Sequence, residues 1–483
     1  MRIFPRTILV ITALTITLGG CVQQTANVAN TQSNVAATNT AAPTPQASPQ
    51  IIKASANDEN AMPVTLPVLD AFFADEAFAS DLKSKLQLTD EQVEKLRRVA
   101  REGTSKLRET DGGEYTGTTR AARADATEQI KGIIGDEKAQ QLASFLRERW
   151  AGASTAEGNE GAHGAATGKF NAVPSDTRIV VNSPAYRMDV FENGQLVKSY
   201  KVGIGYPEFP LPTGMRKAAD IIFNPTWTPP DEPWVETSNK VKPGQKIEAG
   251  DKLNPLGPIK IPIGLPSLIH GGKSPAKLGG FASHGCVGLT TPQIQDFART
   301  LARLSGTDLS EEQIAGYAKN PKETKDVKLS RPVPVELRYE TIVVEDGRLH
   351  IYRDVYDRDT NTEENLRAVL SSYGVTLEQL SEQERTDVLN ALKEMSLDAS
   401  GKSDGANGAA GESGKQASKE KDAGKTGNDK AASGKVTRAV KGRKEVVVEI
   451  AALKGKGYPA PANLDTGGGA KTAPSTPAKG KRG

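Results

Sequence analysis

The sequence predicts a mainly β fold, with a central β-sandwich or barrel domain flanked by α-helical segments and by disordered N- and C-terminal regions. Three observations predict it. Of 24 Phe, Trp and Tyr residues in the 483-residue chain, 15 lie between Phe170 and Tyr356 and none lies between Gly374 and Gly457. The middle therefore holds the material for the largest core. Within it, short β-rich runs are separated by Pro and Gly breaks and do not alternate with long helices, which favours an antiparallel sandwich or barrel over an α/β sheet. Third, from Ser400 onward 17 Lys plus Arg face 8 Asp plus Glu, whereas the whole chain carries only +3. The excess positive charge belongs to a tail whose one aromatic is Tyr458, so a uniformly basic nucleic-acid binder is excluded and no nucleic-acid partner is expected. With Cys21 and Cys286 as the two cysteines, a disulfide framework is excluded as well.

The elements follow in chain order. Arg2 and Arg6 precede an apolar run from Ile8 to Leu18 that is too short to span a bilayer as a helix, the pattern of a secretory signal. It ends in Leu18-Gly19-Gly20-Cys21, which resembles the bacterial lipobox. That resemblance implies a signal peptide over residues 1–20 and acylation of Cys21, whose several acyl chains anchor stably where one would not. Val22, rather than Asp, follows the cysteine. The expected location is therefore the cell envelope, lipid-anchored at the outer membrane and facing the periplasm. Residues 21–62, rich in Ala, Thr, Asn, Gln, Pro and Ser, read as a flexible tether of roughly 35 Å as a coil.

Residues 63–150 read as a helical region. Thr89 and Gln92 have the spacing of a capping box, Leu88 and Val93 that of a hydrophobic staple, and Val93, Leu96 and Ala100 continue at helical spacing. A second amphipathic stretch starts near Asp136 and sets Leu142, Phe145, Leu146 and Trp150 on one face. The Leu88-Thr-Asp-Glu-Gln92 string loosely resembles a motif of periplasmic stress-response proteins, although a capped helix needs nothing more than a core. Residues 151–168 form a Gly/Ala linker, in which His163 reads as solvated.

The β pattern starts at Arg178 to Val181 and Arg187 to Phe191, followed by Asn193-Gly194, a type I′ hairpin signal, and the returning run Gln195 to Ile204. Ile221 to Phe223, Val333 to Glu340, and Thr341 to Tyr352 around Asp346-Gly347 are the further strands. Beyond them, residues 359–397 read as a helical hairpin whose second helix opens at the Ser381/Glu384 capping box. Residues 398–483 read as a mostly disordered Lys/Gly/Ala-rich tail, with one unassigned β-like run from Lys444 to Ile450.

The chemistry is concentrated in Ile269-His270-Gly271-Gly272 and in Phe281-Ala282-Ser283-His284-Gly285-Cys286-Val287-Gly288-Leu289. A cysteine with neighbouring imidazoles is the arrangement a thiolate nucleophile needs, because an adjacent imidazolium lowers the thiol pKa from ~8.5. Glycines beside it let backbone N–H groups turn toward a developing oxyanion, where one donor is worth ~2.7–4 kcal/mol.

His270 followed by Ser283-His284-Gly285-Cys286 resembles the catalytic signature of YkuD-type L,D-transpeptidases. The surroundings agree in order: the strand–Asn-Gly–strand opening, Pro212-Thr213-Gly214, Asn224-Pro225-Thr226-Trp227, Asn254-Pro255-Leu256-Gly257 and the closing strands from Tyr339 to Tyr356. The resemblance implies a YkuD-like β-sandwich catalytic domain over residues 169–358 that acts on peptidoglycan stem peptides as donor and acceptor. It implies Cys286 as nucleophile, released D-Ala, and His270 as acid/base oriented by the Gly271 carbonyl. Ser283, His284 and Gly285 shape the oxyanion and orientation turn, together with the Cys286 N–H. No cofactor and no metal are implied. The acceptor is a second stem's amine, a lysine of an envelope protein, or water. Two positions depart from the family pattern: Gly288 stands where relatives usually have an Arg or Asn that helps shape their donor site, and Gly272 stands where many relatives have Thr.

Other readings fit the same residues. His270, His284 and Cys286 are a possible ligand set for zinc in a stem-peptide peptidase. A degenerate domain would make the chain a non-catalytic murein-binding envelope lipoprotein. A buried structural cysteine beside satisfied histidines is the plainest reading. His350, in a strand, reads as structural.

Overall fold

The computed structural model describes residues 61–105, 114–115, 118–151, 170–229, 240–264, 266–399, 401, 436–437 and 439–468. The signal, Cys21, the tether, the linker with His163 and most of the tail lie outside the described residues. Among those described, no helix is long and apolar enough to cross a membrane.

The helical region holds α1 (Leu66–Phe73), α2 (Glu76–Leu86), α3 (Asp90–Ser105) and α4 (Thr119–Ala151). The capping box forms at α3: Gln92 N donates to Thr89 Oγ1 at 3.2 Å and Thr89 N to Gln92 Oε1 at 3.1 Å. The helical stretch beginning near Asp136 is the second half of α4, which breaks at Gly135 where φ is +79°. The apolar faces meet in one core of Leu69, Phe72, Phe78, Leu82, Leu96, Ile130, Leu142 and Leu146, with Trp150 edge-on to Phe72.

The central domain is built on an eight-stranded sheet. Its strands are β2 (Arg178–Asn182), β3 (Arg187–Glu192), β4 (Gln195–Lys201), β6 (Gly214–Phe223), β7 (Ile259–Pro262), β8 (Leu268–His270), β10 (Val287–Gly288) and β11 (Lys325–Arg338). They lie in the order β10-β8-β7-β6-β11-β2-β3-β4. The β3–β4 hairpin turns at Asn193-Gly194 with φ of +49° and +80°, the positive pair that a type I′ turn requires. The sheet is mixed rather than purely antiparallel, because β11 runs parallel to β2 and β10 parallel to β8. A separate parallel pair, β5 (Ile204–Gly205) and β9 (Phe281–Ser283), carries the chain into the segment containing Cys286. A two-residue pair, β1 (Glu114–Tyr115) with β14 (Val436–Thr437), completes the smaller ladders.

Two helices of this domain escape the sequence reading. These are α5 (Thr291–Ser305) and α6 (Glu311–Lys319), each opened by a capping box, Thr290/Gln293 and Ser310/Gln313. Ile294, Phe297, Ala298 and Leu301 of α5 join Ile179, Val181, Ile261 and Val335 of the sheet in one core. The amphipathic period of α5 was there to be read, but it sits directly behind a β-rich motif.

The closing strands are also placed differently. β12 (Ile342–Glu345) and β13 (Arg348–Tyr352) leave the large sheet and pair in a three-stranded sheet with β15 (Glu445–Glu449). On it pack α7 (Glu363–Ser372) and α8 (Glu382–Met395), through Leu366, Val369, Val388 and Leu392. The expectation of a mostly disordered tail over 398–483 is thereby corrected for residues 439–468. The β-like run left unassigned in the sequence is β15, whose Val446 to Val448 bring apolar side chains to the edge of β13. Farther on, Ser199 N donates to Ala462 O at 2.8 Å and Lys201 N to Asp465 O at 2.9 Å, covering the exposed edge of β4. His350 is structural, as read: its Nδ1 lies 2.6 Å from Glu445 Oε1, tying β13 to β15.

Candidate active site

Register brings the two motifs together. In the parallel β8/β10 pair, Ile269 lies opposite Val287 and His270 opposite Gly288, so Cys286 enters β10 beside the strand that ends at His270. Adjacent strands run about 4.8 Å apart, close enough for two such side chains to meet. Leu289 N donates to His270 O at 2.8 Å and Lys273 N to Leu289 O at 3.0 Å, extending the ladder past the site.

His270 is 3% exposed, and its Nδ1 is 2.8 Å from the Gly271 carbonyl oxygen. A carbonyl only accepts, so Nδ1 carries the proton and Nε2 keeps its lone pair. Burial drives the ring's pKa down to about 3, helped by the Lys273 charge and opposed by backbone hydrogen bonds at Gly271 and Leu256. Burial also pushes the Cys286 thiol up, against a backbone hydrogen bond at Leu268 and the charge of Lys273. The resting pair is therefore neutral imidazole beside neutral thiol. The sequence argument for a standing imidazolium gives way to desolvation, which disfavours both charged forms.

The glycines have specific work. Gly257 of the Asn254-Pro255-Leu256-Gly257 motif backs onto Gly272, and a Cβ at 257 would sit 2.5 Å from Gly272 N. Gly272 has φ +80°, and a Cβ there would sit 3.0 Å from Gly257 N, so backbone conformation and close approach together account for its lacking a side chain. A Cβ on Gly271 would lie 2.6 Å from Ile294 Cγ2 of α5.

The nucleophile turn is closed by Ser283, whose Oγ accepts from Cys286 N at 2.9 Å and donates to Cys286 O at 2.6 Å. The Cys286 N–H is thus engaged inside the turn. Gly285 has φ +86°, and among the described residues its N–H meets no protein acceptor. The His284 ring is held edge-on by Phe209 at 4.8 Å and by Tyr206 at 5.3 Å between centroids. The His284 ring thus sits in aromatic surroundings, while His270 lies in the β8/β10 ladder. Among the described residues no group of three His, Cys, Asp or Glu is placed to hold a metal ion.

Three participants were missed in the sequence. Tyr206 and Phe209 carry no local signal, because only the β5/β9 pairing brings them to His284. Lys273 reads as a surface lysine until β8 and β10 are paired. Its carbons then lie along Gly288, where an added Cβ would come 2.8 Å from Lys273 Cγ.

Residues 176–334 match the YkuD family, described as the L,D-transpeptidase catalytic domain. Among solved structures, the catalytic domain of Enterococcus faecium L,D-transpeptidase aligns at 17% identity and a TM-score of 0.22, covering 34% of this chain and 98% of that one. A longer Enterococcus faecium L,D-transpeptidase chain aligns at 15% identity and a TM-score of 0.22, covering 34% of this chain and 50% of that one. An L,D-transpeptidase from Mycobacterium smegmatis aligns at 15% identity and a TM-score of 0.21, covering 34% and 58% respectively. The chain thus spans about half the length of the longer Enterococcus faecium chain. No curated protein matches it.

Proposed function

We propose that this chain, whose residues 176–334 match the YkuD L,D-transpeptidase catalytic domain, is a cysteine acyltransferase that remodels peptidoglycan stem peptides. The observation that supports the proposal is the β8/β10 register, which runs the strand that follows Cys286 alongside the one that ends at His270, whose Nδ1 is fixed on Gly271.

In this reading neutral His270 takes the Cys286 proton as sulfur attacks the carbonyl of the third stem residue, a diamino acid. The C–S bond forms, the C–N bond to D-Ala breaks, and the proton passes from His270 to the departing amine. Starting from a neutral pair suits a buried site, because charge is generated only as the attack proceeds. The negative charge on the carbonyl oxygen falls to the backbone of the His284–Cys286 turn, where the Gly285 N–H has no competing acceptor. An acceptor amine then gives its proton to His270, attacks the thioester and releases Cys286, leaving a 3→3 cross-link or a protein joined to the wall through a lysine. Water as acceptor gives L,D-carboxypeptidase activity instead.

The lipobox-like Leu18-Gly19-Gly20-Cys21 supports a lipid anchor at Cys21, with the outer membrane, periplasmic face, as its place. Cys21→Ala is expected to move the protein out of the membrane fraction, and an unchanged distribution would remove the anchor from the proposal.

The activity is tested by chromatography of muropeptides after incubation with disaccharide-tetrapeptides. Cross-linked dimers that vanish with Cys286→Ala support the transpeptidase. No product from either wild type or Cys286→Ala would favour a wall-binding scaffold, and products that survive Cys286→Ala and require added metal would favour a peptidase.

A further inference from the structure

Tyr356 is a fully buried side chain that touches both strands leading into the nucleophile turn, and the reaction scheme gives it no task. Its ring stacks on Phe281, the first residue of β9, with centroids 6.2 Å apart and planes 24° from parallel. Its hydroxyl donates to the carbonyl of Gly205, the last residue of β5, at 2.9 Å. The β5/β9 ladder is irregular between Ile204 and Gly205, and the hydroxyl meets the backbone at that irregularity. Burial pushes the Tyr356 hydroxyl above its ordinary pKa, so it stays protonated and remains a donor.

Gly205 in turn lies against Gly285. An added Cβ on Gly205 would stand 3.1 Å from Gly285 Cα and 3.2 Å from Gly285 N, and would run into Phe209 O. A shift of the Gly205 peptide therefore reaches Gly285 with no side chain between them to absorb it. Gly285 is held at φ +86° and carries the N–H that the scheme assigns to the developing oxyanion. Such a donor works at about 2.7–3.1 Å from the charged oxygen, so its aim matters as much as its presence.

Tyr356 is itself fixed from behind. Its N–H donates to the Tyr339 hydroxyl at 2.8 Å, and that hydroxyl donates to Asp354. Asp354 also accepts from Arg358 N and Thr360 N, at 3.0 Å each. The turn from Asp354 to Thr360 thus holds the tyrosine up to β5, from beyond the matched residues 176–334.

Resting on the reading that Cys286 is acylated through an oxyanion at the His284–Cys286 turn, we infer that Tyr356 is a positioning residue whose hydroxyl, through Gly205, sets the aim of the Gly285 N–H. It acts through the backbone and not on the substrate. Its removal should weaken the step that builds charge on oxygen and spare the reactivity of the sulfur.

The test compares two reactions of Cys286 in the full chain. Acylation by a disaccharide-tetrapeptide places negative charge on a carbonyl oxygen. Alkylation by iodoacetamide expels iodide from a tetrahedral carbon and calls on no oxyanion donor. Tyr356→Phe keeps the ring on Phe281 and leaves the buried Gly205 carbonyl without its donor. It is expected to lower kcat for acylation roughly 10-fold, the scale of a buried group left unsatisfied, with KM and the alkylation rate little changed. 4-Aminophenylalanine at position 356, which returns an N–H donor to the same place, is expected to recover most of the loss. Tyr339→Phe keeps the Tyr356 hydroxyl but frees its backbone, and should show a smaller loss of the same selective kind; it carries the test if Tyr356→Phe does not fold. In whichever variant folds, acylation at the wild-type rate, or acylation and alkylation slowed by the same factor, overturns the inference. A wild-type chain that is alkylated but never acylated would instead overturn the reading of the site on which it rests.

Discussion

Cys286 is bordered by two regions of unlike construction. On the strand side, His270 is nearly sealed, locked by Gly271 and bounded by the β7 and β10 ladders. On the loop side, His284 is held by Tyr206 and Phe209, from a loop that the helical region grips. Thr65 Oγ1 donates to Glu208 O at 2.5 Å, and Thr119 Oγ1 donates to Pro207 O at 2.7 Å. Arg120 also pairs with Asp359, and Thr119 N donates to Asp357 Oδ2 at 3.0 Å. The difference teaches that burial within the sheet sets the protonation of the site, while long-range contacts set the posture of the nucleophile turn.

The strand side should break hardest. His270→Gln removes the base and is expected to lower the acylation rate by about 10²–10⁴-fold, the usual worth of a positioned general base. Stopped-flow acylation, with a melting curve to confirm folding, measures it. A loss of tenfold or less would mean that the strand side does not supply the base.

The same histidine links stability to acid. An unfolded histidine titrates near ~6.5, whereas burial holds His270 at about 3. Between those values the unfolded chain binds the extra proton, so this contribution is complete above pH ~6.5 and is lost as pH falls toward about 3. Wild type should therefore lose more of its denaturant midpoint from pH 7 to pH 4 than His270→Gln does. Parallel losses would show that the ring is not desolvated.

The loop side should give smaller effects on position rather than proton transfer. Phe209→Ala removes an edge-on ring contact worth about 0.5–1.5 kcal/mol and is expected to slow acylation roughly 3- to 10-fold. Cys286 should still react fully with a small neutral alkylating reagent. Smallest of all, Thr119→Val deletes one hydrogen bond to the loop, for about 1 kcal/mol of stability, and Thr65→Val deletes one together with the N-cap of α1, for about 2 kcal/mol. Acylation should fall less than in Phe209→Ala. A larger rate loss from either threonine than from Phe209 would invert the proposed order of contacts.

How much could be read in advance follows the same division. His270, Cys286 and the Gly-rich turns are local words in the sequence, and Thr89, Asn193-Gly194 and Ser381 announce their cap or turn within four residues. The β5/β9 pair, the grip of Thr65 and Thr119 on the loop, and the crossing of Lys273 over Gly288 depend on register between distant segments. Helix α5 has a plain cap and apolar period, and the sequence reading assigns residues 290–305 no element. Strand β15 lies far down a polar tail, where a run of three valines between two glutamates gains its meaning from β13. The neutral resting state of the pair was out of reach for a different reason: adjacency in sequence suggests an ion pair, and burial decides against it.

The central claim is that Cys286 forms a thioester with a stem peptide. Intact-protein mass spectrometry after mixing with disaccharide-tetrapeptide tests it most directly. The account predicts an adduct equal to the donor minus D-Ala, mapped to Cys286 and missing in Cys286→Ala. Turnover of the donor with no adduct on Cys286 at any time, or an adduct that persists in Cys286→Ala, would contradict it.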